Sequence, residues 1–127
     1  LRTADAFGAD GLFLLEGCAD LYNPKTVRAS MGAGFRCPAW RCTLEELTGR
    51  LQAADLPLYG AALWEDTLDA RQVDWKRSAA LVGSEGRGLS QAALDACTAT
   101  VKIPMTSRCE SLNAAAAAAV LLWEGWR

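Results

Sequence analysis

Histidine is missing altogether from this chain, and its absence removes two things at once. The side chain that most often serves as a general base near neutral pH is gone, and a zinc site would have to be built from cysteine and carboxylate alone. The five cysteines, Cys18, Cys37, Cys42, Cys97 and Cys109, do not suggest one. They are odd in number and match no metal spacing, so they read as structural thiols in a reducing cytoplasm, and no metal is expected. No run of about 18 or more apolar residues occurs, so no membrane span is expected, and no signal peptide is visible. Positive charge is not in excess either. A net charge of −2 argues against a protein that grips nucleic acid by bulk charge, leaving only local basic pairs: Lys25 with Arg28, Arg36 with Arg41, Lys76 with Arg77.

What is present suffices for one domain. The chain has 127 residues, 51% of them hydrophobic, enough to bury a core and too apolar for disorder. No internal repeat, linker or second domain is evident. It opens at Leu1 inside a helical pattern and without methionine, which reads as part of a longer protein. Residues 2–7 end that helix, closed by Gly8 and Gly11, and 12–15 form a short buried strand. Asn23 and Pro24 start a helix through Met31; after a glycine break, 35–42 is a second extended piece. Thr43 and Glu46 form a capping box for the next helix, which Pro57 ends.

A third strand is expected over 58–63, and the polar stretch 64–77 reads as loop. A fourth strand follows over 79–82, then a helix capped by Ser90, a fifth strand over 100–103 and a last helix over 111–126. Its alanine run lets a second helix approach closely. Strands alternating with helices predict an α/β fold, a mostly parallel sheet with helices on both faces.

Two segments repeat a strand–loop–helix layout: LVGSEGRGLS at 81–90 and IPMTSRCESLNAAAAAAVLLWE at 103–124. Such loops can lie side by side at the carboxyl edge of a parallel sheet, where open α/β folds bind ligands. GSEGRG offers glycines around one carboxylate, and glycine lets backbone approach a ligand closely. Its spacing fits neither the Walker nor the Rossmann phosphate loop. Pro104 stops a strand. Asn113, poor in a first helical turn, is either a bystander beside a Ser111 cap or bonds a ligand or the facing glycine loop.

These segments resemble the second and third motifs of the SpoU-type methyltransferases of the SPOUT superfamily, G-x-E-G-x-G after an apolar strand, then I-P-M and S-L-N before a small-residue helix. RTADAFGADG is similar to the tail of that family's first motif, and NPKTVRASMGAGFRCP to a segment with an S-x-G turn. The resemblance implies a catalytic domain whose first strand and N-terminal RNA-binding domain are missing, with a C-terminal trefoil knot, although true knots are otherwise nearly absent from proteins. It implies methyl transfer from S-adenosylmethionine to a ribose 2′-hydroxyl of tRNA or rRNA, by a cytoplasmic homodimer paired through its final helix.

By motif position, Gly83, Ile103 and Leu112 would hold the cofactor, with Met105, Ala61 and Ala62 nearby. Arg2, Glu85 and Asn113 would be catalytic. Arg2 would anchor phosphate and stabilise an emerging alkoxide rather than act as a base, because arginine stays protonated. Glu85 would organise the substrate or brace the glycine loop. Arg28, Ser30, Arg87, Arg108 and Ser111 would meet RNA. Two departures stand out: the asparagine opening the first motif lies before Leu1, and Ala115 replaces a serine common in the third motif. They leave a binding-only module as the alternative to an enzyme. A Rossmann-like nucleotide protein using GSEGRG on phosphate is a further one.

Overall fold

The computed structural model describes residues 1–64 and 66–127. Its helices are α1 (Arg2–Ala6), α2 (Pro24–Ser30), α3 (Leu44–Ala53), α4 (Gln91–Ala96) and α5 (Ala114–Trp126). Its strands are β1 (Leu12–Leu14), β2 (Ala39–Arg41), β3 (Leu58–Ala61), β4 (Leu68–Asp69), β5 (Ala79–Leu81) and β6 (Ala99–Lys102). All the strand pairs are parallel. The fold is therefore α/β, with parallel sheets and helices.

The helix starts follow their caps. Asn23 Oδ1 accepts from the Lys25 amide at 2.9 Å, Thr43 and Glu46 close a reciprocal capping box, and Ser90 Oγ accepts from the Ala93 amide. Each satisfies a donor that a helix start leaves orphaned, worth about 1 kcal/mol. Gly8 follows α1 with a φ of 66°, the left-handed geometry that ends helices.

Three expectations need correction. The strands form two ladders, β1-β2 and β4-β6-β3-β5, rather than one sheet. In the expected extended piece 35–42, Phe35 ends a 3-10 turn (Ala33–Phe35) and only Ala39–Arg41 is strand. The Cys37 amide donates to the Ala33 carbonyl at 2.8 Å, and that local bond wins over a ladder partner. The expected loop 64–77, whose residue 65 lies outside the described residues, contains β4 and the 3-10 turns Ala70–Gln72 and Trp75–Arg77. Two of its three aspartates are caps: Asp69 accepts from the Arg71 amide and Asp74 from the Lys76 amide. A two-residue strand is too short to show any period.

Leu47 and Leu51 of α3, Leu58 of β3, Leu81 of β5 and Ala93 of α4 form the core cluster, joined by Phe13 and Leu15. Each leucine buried there contributes roughly 1.5–3 kcal/mol. Gly60 lets α4 lie close on β3, since a Cβ at that position would come within 2.8 Å of Cys97 Sγ. Outside that cluster, α5 packs against α1 and the turn Trp75–Arg77. Leu121 is buried there, and Phe7 meets Trp123 edge-on at 5.7 Å. None of the described helices is long and apolar enough to cross a membrane.

Candidate active site

Strand β3 lies between β5 and β6, which follow it in the chain and flank it on opposite sides. All three run parallel, so the segments leaving their carboxyl ends rise together at one edge. Parallel α/β sheets open a crevice at such a switch point. Here it holds a cavity of about 680 Å³, within the range of small-molecule sites. The end of β3 supplies Ala61, and the segment after it supplies Ala62, Leu63 and Trp64. The segment after β5 supplies Gly83, Glu85, Arg87 and Leu89. The segment around and after β6 supplies Lys102, Ile103, Met105, Ser111, Leu112 and Asn113.

The loop after β5 is tight and braced by itself. The Gly88 amide donates to the Ser84 carbonyl at 2.8 Å, and Ser84 and Gly88 form an antiparallel bridge. A Cβ on Gly83 would run into the Gly88 backbone and sit 2.7 Å from the Leu89 nitrogen. Glycine there is a packing requirement of the loop itself.

The loop after β6 is held differently. Between residues 105 and 112 the described backbone makes one internal backbone bond, Cys109 amide to Thr106 carbonyl at 3.2 Å. The loop is anchored at its far end by α5. Asn113 is the helix cap, with Oδ1 accepting from the Ala116 amide at 2.7 Å, which corrects the reading of Ser111 as cap with Asn113 a bystander. Nor does Asn113 reach the glycine loop. Glu85 makes that connection, its Oε1 accepting from the Ala114 amide at 3.3 Å. The carboxylate thus satisfies an orphan donor of α5 and sits at the positive end of its dipole. It ties the two loops together rather than bracing its own.

Ten of the residues singled out in the sequence line this cavity: Ala61, Ala62, Gly83, Glu85, Arg87, Ile103, Met105, Ser111, Leu112 and Asn113. Arg2, Arg28, Ser30 and Arg108 do not. Arg108 is exposed in the loop after β6. Ser30 is buried and its hydroxyl donates to the Val27 carbonyl at 2.8 Å, so it braces its own helix instead of facing outward. It lines a separate cavity of about 130 Å³ that also includes Leu1 and Val27, the residues next to Arg2 and Arg28. Trp64, Leu63 and Lys102 escaped the sequence reading. Their signal is position alone: each lies at or just past the carboxyl end of a parallel strand.

No group of three or more His, Cys, Asp or Glu side chains poised to hold a metal ion occurs among the described residues. Burial pushes the Cys97 thiol up from its usual value, and Cys97 donates to the Ala93 carbonyl. Such a thiol is inert packing, not a nucleophile.

Residues 1–123 match the family model described as the SpoU rRNA Methylase family. The chain belongs to that family. It is 37% identical over 124 residues, 97% of its length and 50% of the relative's, to the 23S rRNA (guanosine(2553)-2′-O)-methyltransferase RlmP of Bacillus subtilis. It is 38% identical to the 23S rRNA (uridine(2479)-2′-O)-methyltransferase of Streptomyces viridochromogenes, covering all of this chain and 46% of that protein. Among solved structures it resembles the SpoU methyltransferase AviRb of Streptomyces viridochromogenes in complex with the cofactor AdoMet. The TM-score is 0.87 at 39% identity, over 99% of this chain and 52% of that one. The chain thus spans about half the length of the curated relatives it matches.

Proposed function

We propose that the chain is the catalytic domain of an S-adenosylmethionine-dependent RNA 2′-O-methyltransferase acting on tRNA or rRNA in the cytoplasm, within a longer protein. The observation that carries this is the cavity at the β3 edge, where both motif loops meet through the Glu85–Ala114 hydrogen bond.

The residues present fit the cofactor. Ala61, Ala62, Leu89 and Ile103 offer an apolar wall. Among the described residues, the amides of Met105 and Leu112 have no acceptor within the chain, so they are free to donate to a ligand. When bound, S-adenosylmethionine supplies a methyl group on a sulfonium, already a good leaving group. This chain's residues must place the ribose hydroxyl in line and stabilise the charge developing on its oxygen. Arg87 and Lys102 are cations at the cavity suited to RNA phosphate. The Asn113 oxygen caps α5, while its amide NH₂ makes no hydrogen bond among the described residues and can donate to the substrate.

Arg2 rides on α1, which packs against α5. A homodimer paired through α5, whose Trp123 and Trp126 are exposed, puts Arg2 close to the shared interface. Strand β6 inserts between β3 and β4, both earlier in the chain, and the family resemblance implies that the segment after it threads a trefoil knot. The names of the relatives favour an enzyme over a binding-only module.

The test is calorimetric titration with S-adenosylmethionine, followed by transfer of a tritiated methyl group to total tRNA and rRNA. Label in alkali-resistant dinucleotides marks 2′-O-methylation. Saturable cofactor binding with no transfer, by this chain and by an Ala115→Ser variant, sinks the enzyme reading.

A further inference from the structure

We propose that Trp64 is the residue on which the base of the target nucleotide stacks while its ribose is seated in the cavity at the sheet edge. This deepens the RNA methyltransferase reading and rests on it. The reacting 2′-hydroxyl lies one carbon from the bond to the base, so a ribose placed in this cavity brings its base along. Proteins hold an unpaired base chiefly by stacking it on an aromatic face. Among the described residues lining the cavity, Trp64 is the one aromatic.

The ring stands apart from the end that suits the cofactor. Along the segment leaving β3, Ala61 and Ala62 are half-buried, whereas Leu63 is 57% exposed and Trp64 60%. Leu89 and Ile103, which complete the aliphatic wall, are half-buried as well. The indole therefore lies farther out, where a group arriving from solvent meets it first. Its backbone is fixed. The Ala62 amide donates to the Val101 carbonyl at 2.9 Å, prolonging the β3–β6 ladder, and the Thr67 hydroxyl donates to the Trp64 carbonyl at 2.8 Å. Lys102, next after Val101, is exposed at the same cavity, so a cation suited to phosphate lies on the strand beside this segment. All the described residues lining the cavity lie at Ala61 or later, and Leu1 belongs to the other, smaller one.

A tryptophan that serves packing looks different in this chain. Trp75 is half-buried, its Nε1 donates to the Ala70 carbonyl at 2.7 Å, and Tyr59 meets its ring edge-on at 5.6 Å. Trp40, Trp123 and Trp126 also have aromatic neighbours, Phe13 at 5.2 Å for the first and each other at 5.3 Å for the second pair. Among the described residues Trp64 has no aromatic neighbour, and its Nε1 makes no hydrogen bond. Indole is also the largest face a side chain offers to a base, and stacking on it tolerates any of the four.

The experiment measures anisotropy of a labelled single-stranded oligoadenylate of roughly twelve nucleotides with the whole chain, beside an oligomer of equal length that keeps the ribose phosphates but lacks the bases. Trp64→Ala should weaken oligoadenylate binding about tenfold or more and leave the abasic oligomer unaffected, and Trp64→Phe should retain most of the affinity. Affinity for S-adenosylmethionine by calorimetry, and the melting midpoint, should stay unchanged in both variants. Wild-type affinity for oligoadenylate in the alanine variant overturns the assignment, as does a wild type that binds no RNA or binds both oligomers alike. So does a loss of cofactor affinity in the alanine variant, which would place the indole against the cofactor instead. If oligoadenylate binds as described but S-adenosylmethionine does not bind the wild type, Trp64 stands as a base-stacking residue and the methyltransferase reading fails.

Discussion

The two motif loops are neighbours at one cavity yet are built on different principles. Residues 83–88 are closed by their own hydrogen bonds and by a backbone approach that only glycine permits. Residues 105–112 have almost no internal bonding and are fixed at their far end by α5, through the Asn113 cap and the reach of Glu85 across to Ala114. The first loop is closed on itself, whereas among the described residues the amides of Met105 and Leu112 in the second have no acceptor within the chain. A pocket of this kind pays its ordering entropy on one side only.

The sharpest break of that contrast is Gly83→Val. The branched side chain meets the Gly88 backbone, so we expect a loss of at least about 3 kcal/mol of stability, seen as a large fall in the melting midpoint. A cofactor-binding defect in that variant would therefore report loop collapse, not a lost contact. Hydrogen exchange sharpens the contrast without mutation. The Gly88 amide should exchange slowly in the free chain, while those of Met105 and Leu112 should exchange quickly and gain protection when S-adenosylmethionine is added. Equal protection of both loops without cofactor would contradict the difference.

Smaller effects separate capping from chemistry. Asn113→Ala removes the α5 cap and should cost about 1 kcal/mol, a fall in melting temperature of roughly 2–8 °C, with methyl transfer falling further than stability explains. Asn113→Asp keeps the cap and should restore stability but not transfer. Glu85→Ala should weaken cofactor binding by loosening the second loop, whereas Glu85→Gln keeps an acceptor for the Ala114 amide and should retain most of it. Should both variants bind alike, the inter-loop bond is not what holds the pocket.

The smallest effect lies away from both loops. The Arg71 guanidinium hydrogen-bonded to Asp69 holds that carboxyl below its ordinary value of 3.8. Its contribution is therefore present above that value and lost as pH falls through the lower one. The melting difference between wild type and Asp69→Asn should narrow only below about pH 4.

Much of this was legible from local chemistry. Asn23, Thr43, Glu46 and Ser90 announce their helices because a cap is a bond between near neighbours. GSEGRG and SLN were legible as loops past strands, and the cavity they line followed from a parallel arrangement. The 64–77 segment was not, since aspartates that cap 3-10 turns look like ordinary loop polarity and β4 is two residues long. Nor was the role of Glu85, because its partner lies 29 residues away.

The sequence by itself determined the caps, the glycine turns, the alternation of strand and helix, and the family, because each is carried by residues close together in the chain. Only the tertiary structure decided that β5 and β6 flank β3 and so bring the two loops to one cavity. It also decided that Arg2, Arg28, Ser30 and Arg108 stand apart from that cavity. Those outcomes depend on which strands pair and which faces are covered, contacts between residues distant in the chain that no local pattern encodes.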